Sequence, residues 1–161
     1  MSSPQQAFAG DNALESWRPF LLDAAREVFS VMVGMELVVP DQVESETGGG
    51  ITGMVGLAGA ICGVLTICSN ESFAAETASR MLGLSREEAA LHGSDAMGEI
   101  CNMIAGSFKA KIGLEDKCML SVPTVITGDS YATHSLIVGN HLEAQLLFQG
   151  QPLTITLETR S

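Results

Sequence analysis

Polar residues that could take part in chemistry recur at helical spacing between positions 94 and 112. They are Asp95, Glu99, Asn102 and Lys109, which fall together with Gly106 on one side of a helix drawn at about 100° per residue. Glu99 and Asn102 are one turn apart, so a carboxylate and a neutral amide project from the same face. A carboxylate forms charge-assisted hydrogen bonds, whereas an amide accepts and donates without adding charge. The pair suits polar recognition, provided that the surrounding elements hold it in place.

The opposite side of the same predicted helix is apolar. Its members are Met97, Ile100, Cys101, Ile104, Phe108 and Ile112. This stripe is expected to pack against a sheet, so the polar row faces outward. On spacing alone, an ordinary solvated face is the simpler interpretation of the polar row.

Three residues on or beside the polar row are poor choices for a purely solvated helix. Asn102 and the glycines Gly98 and Gly106 each cost on the order of 0.5–1 kcal/mol relative to Ala in a helix interior. Gly106 lies one turn beyond Asn102, and Gly98 lies beside Glu99. Glycine leaves room for another protein's backbone to approach. These residues therefore favour a docking surface.

A family resemblance rests on this helix and on the segment that follows it. The run Asp95-x3-Glu99-x2-Asn102, followed by Pro123, resembles the signature of the CheC/CheX/FliY phosphatases of bacterial chemotaxis. The segment 121–128 looks like that family's strand after the active helix, and the similarity covers roughly residues 14–158. One Glu-x-x-Asn element is present here, which is similar to CheX; CheC and FliY characteristically carry two.

The resemblance implies a phosphatase that hydrolyses the aspartyl phosphate of a CheY-like response-regulator receiver domain. It assigns Asn102 to orient the attacking water and Glu99 to contact the receiver's active-site lysine. The receiver brings its own Mg²⁺, so no cofactor is expected on this chain, and positioning the water is the remaining task. CheX-like proteins are homodimers, and a homodimer is expected here.

The other positions of the row are weighed in the same way. A surface ion pair is disfavoured for Glu99, because no basic residue lies three or four positions away. Asp95 falls in the first turn, where a carboxylate complements the positive helix end, so a helix-terminus role is favoured over catalysis. Asp95, Gly98, Gly106 and Lys109 complete the expected partner-binding surface.

Two non-enzymatic functions stay open. One is an adaptor that binds receivers without catalysis in a chemotaxis, flagellar or two-component signalling assembly. The other is a structural dimer module. Retention of both Glu99 and Asn102 favours the enzyme, because docking alone does not demand the amide.

The composition is that of a packed globular domain. Of 161 residues, 46% are hydrophobic and 17% are charged. The formal net charge of −11 repels nucleic acid and anionic membrane surfaces, so neither is an expected partner. No secretory signal pattern and no membrane-length apolar run is found, which predicts a cytoplasmic protein.

The cysteines and histidines do not form a metal motif. The cysteines Cys62, Cys68, Cys101 and Cys118 include no CxxC pair and are expected to be buried and reduced. The histidines His92, His134 and His141 are scattered, so no metal site is expected.

The surrounding elements follow from periodicity and turn residues. Residues 1–12 are expected to be a flexible tail and residues 13–161 one domain. A long amphipathic helix is predicted over about 14–35, with Met32 on its apolar face and Gly34 at its end. Strands at 51–57 and 60–68 precede short helices that begin after Asn70 and Ser85. After the helix at 94–112, strands are predicted at 118–122, 124–127, 134–138, 142–148 and 153–158. This order predicts an α+β fold with a largely antiparallel sheet covered by long helices.

Overall fold

The computed structural model describes residues 14–43 and 50–161. The tail predicted for residues 1–12 lies outside the described residues. The described chain begins with a 3₁₀ turn (Glu15–Trp17), helix α1 (Arg18–Val28) and a π-helical turn (Phe29–Val33). Then come strands β1 (Gly50–Gly59) and β2 (Gly63–Ser69) and helices α2 (Glu71–Leu82), α3 (Arg86–Ala89) and α4 (Gly93–Lys111). The remaining strands are β3 (Cys118–Leu120), β4 (Thr124–Gly128), β5 (Gly139–Phe148) and β6 (Gln151–Arg160).

The two short helices begin at the predicted capping residues. Asn70 Oδ1 accepts a hydrogen bond from Phe73 N at 2.7 Å at the start of α2. Ser85 Oγ accepts one from Glu88 N at 3.3 Å at the start of α3. These side chains satisfy backbone donors that have no partner inside the helix.

No helix in the described ranges is long and apolar enough to cross a membrane.

The strands form one antiparallel sheet in the order β3-β1-β2-β6-β5, and β4 also pairs with β1. β4 lies beside the first half of β1 and β3 beside its second half, so both short strands share one edge. Between them, Gly56 N donates to Ser121 Oγ at 2.8 Å, and Ser121 N donates to Gly56 O at 2.9 Å. The predicted α+β fold with a largely antiparallel sheet is confirmed.

The helices α1, α2 and α4 cover one face of this sheet. Every second residue of a strand points toward the helices. Val55 of β1 and Leu65 of β2 are examples, and both are buried in the same core as residues of the helices. At one end of the core, the rings of Trp17 and Phe108 meet edge to face with their centroids 5.9 Å apart. This packing joins the 3₁₀ turn before α1 to α4.

One predicted strand is not formed in the described structure. Residues 134–138 run as a loop, with Leu136 and Val138 strongly exposed. A strand needs the edge of a neighbouring strand to pair with, whereas residues 133–135 line a pocket together with the sheet residues Met54, Thr66 and Thr156. The turn between β1 and β2 lies at 60–62, later than the predicted position between residues 57 and 60, because β1 continues through Ala58 and Gly59.

The end of the first helical segment departs from α-helical spacing. The turn Phe29–Val33 is π-helical and ends at Gly34, whose φ is 72°. A π turn holds more residues than an α turn, so Val33 is buried in the core position predicted for Met32. Met32 is instead 46% exposed, and Val31 beside it is 74% exposed. The expectation that Met32 lies on the buried face is therefore wrong.

Candidate functional site

Helix α4 carries the candidate site, and the core sets its rotation. Met97, Ile100, Cys101, Ile104 and Phe108 are fully buried, as the apolar stripe predicted. A Cβ at Gly53 of β1 would meet the Cys101 Cβ and the Met97 carbonyl oxygen at 3.4 Å. The helix thus lies close on the sheet, which determines where its other face points.

Cys101 on the buried face is not a nucleophile. Its thiol donates to the Leu65 carbonyl oxygen at 3.8 Å, and burial raises the pKa of that thiol to about 12. The thiolate is the reactive form of cysteine, so Cys101 is a small core residue at neutral pH.

Glu99 and Asn102 project from the opposite side of α4. Glu99 is exposed and Asn102 is half-buried. Within residues 14–43 and 50–161, neither side chain has a hydrogen bond or an ion pair. The free amide retains both its donors and its acceptor. The fold therefore leaves a carboxylate and an amide, one helical turn apart, available to a partner.

The two glycines expected on the docking face occupy different environments. A Cβ at Gly106 would meet nothing within 4 Å, so this position is open. Gly98 is buried, and a Cβ there would lie 3.2 Å from Val125 Cγ2 and 3.8 Å from Pro123 Cβ. The expectation that Gly98 clears space for a partner is corrected: its missing side chain lets α4 pack on β4.

Pro123 gains a physical role from this contact. Pro123 and Val125 lie against the turn of α4 that contains Gly98, directly before Glu99 and Asn102. Their side chains pack on α4 at Gly98 and so support the turn that precedes the two site residues. Spacing along the helix did not reveal Val125, and the only signal for this contact was the proline that follows the Glu-x-x-Asn element.

Lys109 is occupied within the chain. Its Nζ donates to the carbonyl oxygens of Glu115 and Cys118, each at 2.9 Å. A cation also suits the negative C-terminal end of a helix. Lys109 therefore ties the end of α4 to the connection into β3, so its ammonium already has hydrogen-bond partners within the chain.

Asp95 lies in the first turn of α4, where its side chain is 88% exposed. No side chain caps this helix start, and His92 Nδ1 lies 4.0 Å from Asp95 Oδ2. The carboxylate is close to the positive end of the helix. Asp95 and Glu99 together make the N-terminal half of the outer face acidic.

The cysteines are free thiols in the described ranges. Cys101 and Cys118 are buried, whereas Cys62 is exposed because it lies in the 60–62 turn rather than in a strand. No group of three or more His, Cys, Asp or Glu among the described residues could hold a metal ion.

Solved structures of chemotaxis proteins share this fold. The Vibrio vulnificus chemotaxis protein CheX is 22% identical with a TM-score of 0.74, over 89% of this chain and 96% of that one. A CheC-like superfamily protein from Shewanella sp. PV-4 is 21% identical with a TM-score of 0.77, over 90% and 97%. The CheX–CheY–BeF₃–Mg²⁺ complex from Borrelia burgdorferi is 21% identical with a TM-score of 0.68, over 90% and 98%. Among curated proteins no sequence matches.

A family model supplies evidence that does not depend on fold alone. The model described as "Chemotaxis phosphatase CheX" matches residues 51–157. This range is more than half of the chain and includes α4, Pro123 and most of the sheet. The resemblance seen in the sequence is confirmed, and the chain belongs to the CheX family of chemotaxis phosphatases.

Proposed function

We propose that this chain hydrolyses the aspartyl phosphate of a CheY-like receiver domain, with Asn102 orienting the attacking water and Glu99 anchoring the receiver. The observation that carries the proposal is the outward projection of both side chains from a helix whose opposite face is buried. A rigid element holds reacting groups more accurately than a loop does. Family membership supports phosphatase activity in general, whereas the roles of the two residues are proposed here.

Hydrolysis of an aspartyl phosphate requires few catalytic groups from the phosphatase. The water oxygen attacks phosphorus while the bond from phosphorus to the aspartyl oxygen breaks, which releases phosphate and restores the carboxylate. The receiver supplies Mg²⁺ and a lysine to the phosphoryl oxygens. The phosphatase must place the water in line. Asn102 suits this task because its C=O accepts from the water without the charge that would repel a phosphoryl group.

Glu99 is proposed to accept a hydrogen bond from the receiver's lysine. The carboxylate is exposed and has no ion pair among the described residues, so it does not have to leave an internal partner on binding. A hydrogen bond to a charged group contributes about 1.5–3 kcal/mol. Its removal should therefore weaken receiver binding by roughly 10- to 100-fold. Asp95 and Gly106 are proposed to border the same contact.

The choice of partner is supported by a structural relative. The Borrelia burgdorferi structure is a complex of CheX with CheY, BeF₃ and Mg²⁺. That complex supports a CheY-like receiver as the partner proposed here, with the Mg²⁺ held by the receiver.

A homodimer is also part of the proposal. The loop at 134–138 exposes Leu136 and Val138, and apolar side chains of this kind favour association. Sedimentation velocity should show a dimer that Leu136→Ser with Val138→Ser weakens. A monomer at micromolar concentration would rule the dimer out.

The catalytic role of Asn102 is tested by phosphate release from a phosphorylated CheY-like receiver with Mg²⁺ present. We expect Asn102→Ala to lose the acceleration by about 100-fold or more, because the positioned water is lost. Asn140→Ala, at a half-buried amide on β5, is the matched control and should keep full activity. If Asn102→Ala accelerates phosphate release as well as the wild type does, the proposed mechanism is wrong. If the wild-type chain binds the receiver but does not accelerate phosphate release, it is an adaptor.

The anchoring role of Glu99 predicts a different kinetic signature. Glu99→Ala should raise KM for the phosphorylated receiver more than it lowers kcat, because the interaction is present before the reaction. Glu87→Ala, at an exposed carboxylate on α3, is the control. Normal receiver affinity in Glu99→Ala would contradict the anchor.

A further inference from the structure

An exposed apolar groove lies beside the candidate site, between the π turn and α4. Val31 and Met32 line one side, and Met103 and Ser107 line the other. These four residues are called the apolar groove below. Glu27 at its rim is paired with Lys111, whose Nζ lies 2.7 Å from Glu27 Oε2, so this part of the rim carries no net charge.

The groove exists because of the π turn. With regular α-helical spacing Met32 would continue the buried stripe of α1, but the wider turn buries Val33 in its place. The turn thus presents Val31 and Met32 to solvent side by side. π turns occur frequently at functional sites, and clustered exposed apolar side chains mark interaction surfaces.

The groove is continuous with the polar row of α4. Met103 directly follows Asn102 and lies one turn after Glu99. Ser107 directly follows Gly106, where no side chain or backbone lies within 4 Å of the Cβ position. A partner seated on Glu99 and Asn102 would therefore also cover the groove.

We propose that the apolar groove is the affinity-determining part of the receiver-docking surface, with the polar row supplying the chemistry. The inference rests on the function proposed above, and its occupant is a CheY-like receiver that presents an apolar segment beside its phosphorylated site. Protein interfaces commonly join a buried apolar centre to polar groups at its edge. Methionines suit such a surface because their flexible side chains adapt to the partner.

The experiment measures the affinity of this chain for the CheY-like receivers of the same organism, activated with Mg²⁺ and beryllofluoride, alongside phosphate release. Val31→Ser with Met32→Ser should raise both the dissociation constant and KM by about tenfold or more while leaving kcat unchanged. Both side chains are exposed, so an unchanged melting temperature verifies folding. Val39→Ser is the matched control, because Val39 is 52% exposed beside Arg18 at the other end of α1.

The two readouts separate this inference from the function on which it rests. Unchanged affinity and KM in the double variant, with Asn102→Ala inactive, would overturn the groove and leave the phosphatase. Weakened binding in the double variant, with no acceleration by the wild type, would support the groove and reject the phosphatase. A wild type that neither binds nor accelerates would overturn both.

Discussion

Alanine substitutions at Gly98 and Gly106 test how the two sides of α4 differ. Both glycines lie inside α4 and neither has a positive φ. Alanine therefore improves the helix propensity by about 0.8–1 kcal/mol at each position. At Gly106 the new Cβ meets nothing within 4 Å, so the gain is retained. At Gly98 it would lie 3.2 Å from Val125 Cγ2, and overpacking of this kind costs about 1–3 kcal/mol.

The two substitutions should consequently change the free energy of unfolding in different ways. Gly106→Ala should raise it by about 1 kcal/mol. Gly98→Ala should leave it unchanged or lower it by up to about 2 kcal/mol, because the clash offsets or exceeds the gain. Urea denaturation followed by circular dichroism measures both values. A gap of 1 kcal/mol also separates the melting temperatures by about 2–4 °C for a domain of this size.

A double variant identifies the source of the penalty. Gly98→Ala with Val125→Ala removes the methyl group that the new Cβ would meet, so the two changes should be coupled rather than additive. If Gly98→Ala proves as stabilising as Gly106→Ala, β4 yields without cost and the packing role of Gly98 is refuted. Gly106→Ala should also raise KM for the receiver despite the added stability, because its methyl group lies on the proposed docking face.

Two further predictions concern residues that the structure places inside the fold. Lys109→Met should lower the free energy of unfolding by about 1–2 kcal/mol, since it removes two hydrogen bonds from a half-buried ammonium, whereas exposed Lys117→Met should stay within about 0.5 kcal/mol. Equal urea midpoints for the two variants would contradict the tie to β3. The pKa of Cys101 is raised to about 12 in the folded protein and is about 8.5 when unfolded. Unfolding therefore releases its proton above about pH 9, and stability falls there by up to about 1.4 kcal/mol per pH unit. Burial also raises the pKa of the Cys118 thiol, so Cys101→Ala should show a shallower decline than the wild type. Parallel stability profiles from pH 8 to 10.5 would disprove the burial of the Cys101 thiol.

The sequence by itself determined the site helix and its orientation. The spacing of Met97, Ile104 and Phe108 predicted a buried stripe, and Glu99 and Asn102 had to face away from it. This inference needs only the geometry of one helix, because a period of 3.6 residues relates side chains on the same element without reference to any other. Caps and turn residues are local in the same sense, which is why Asn70, Gly34 and the α+β order were also predictable.

Only the tertiary structure decided which residues beside the site are free for a partner. Gly98 and Gly106 look alike on a helical wheel, yet one lies against Val125 and the other is open. Lys109 falls on the polar row but is bound to carbonyl oxygens beyond the end of α4. Met32 is exposed because the chain forms a π turn there, which the helical periodicity of the sequence does not reveal. Each outcome depends on a neighbour distant in sequence or on how a segment fits the core, and the spacing of residues along one element contains no information about either.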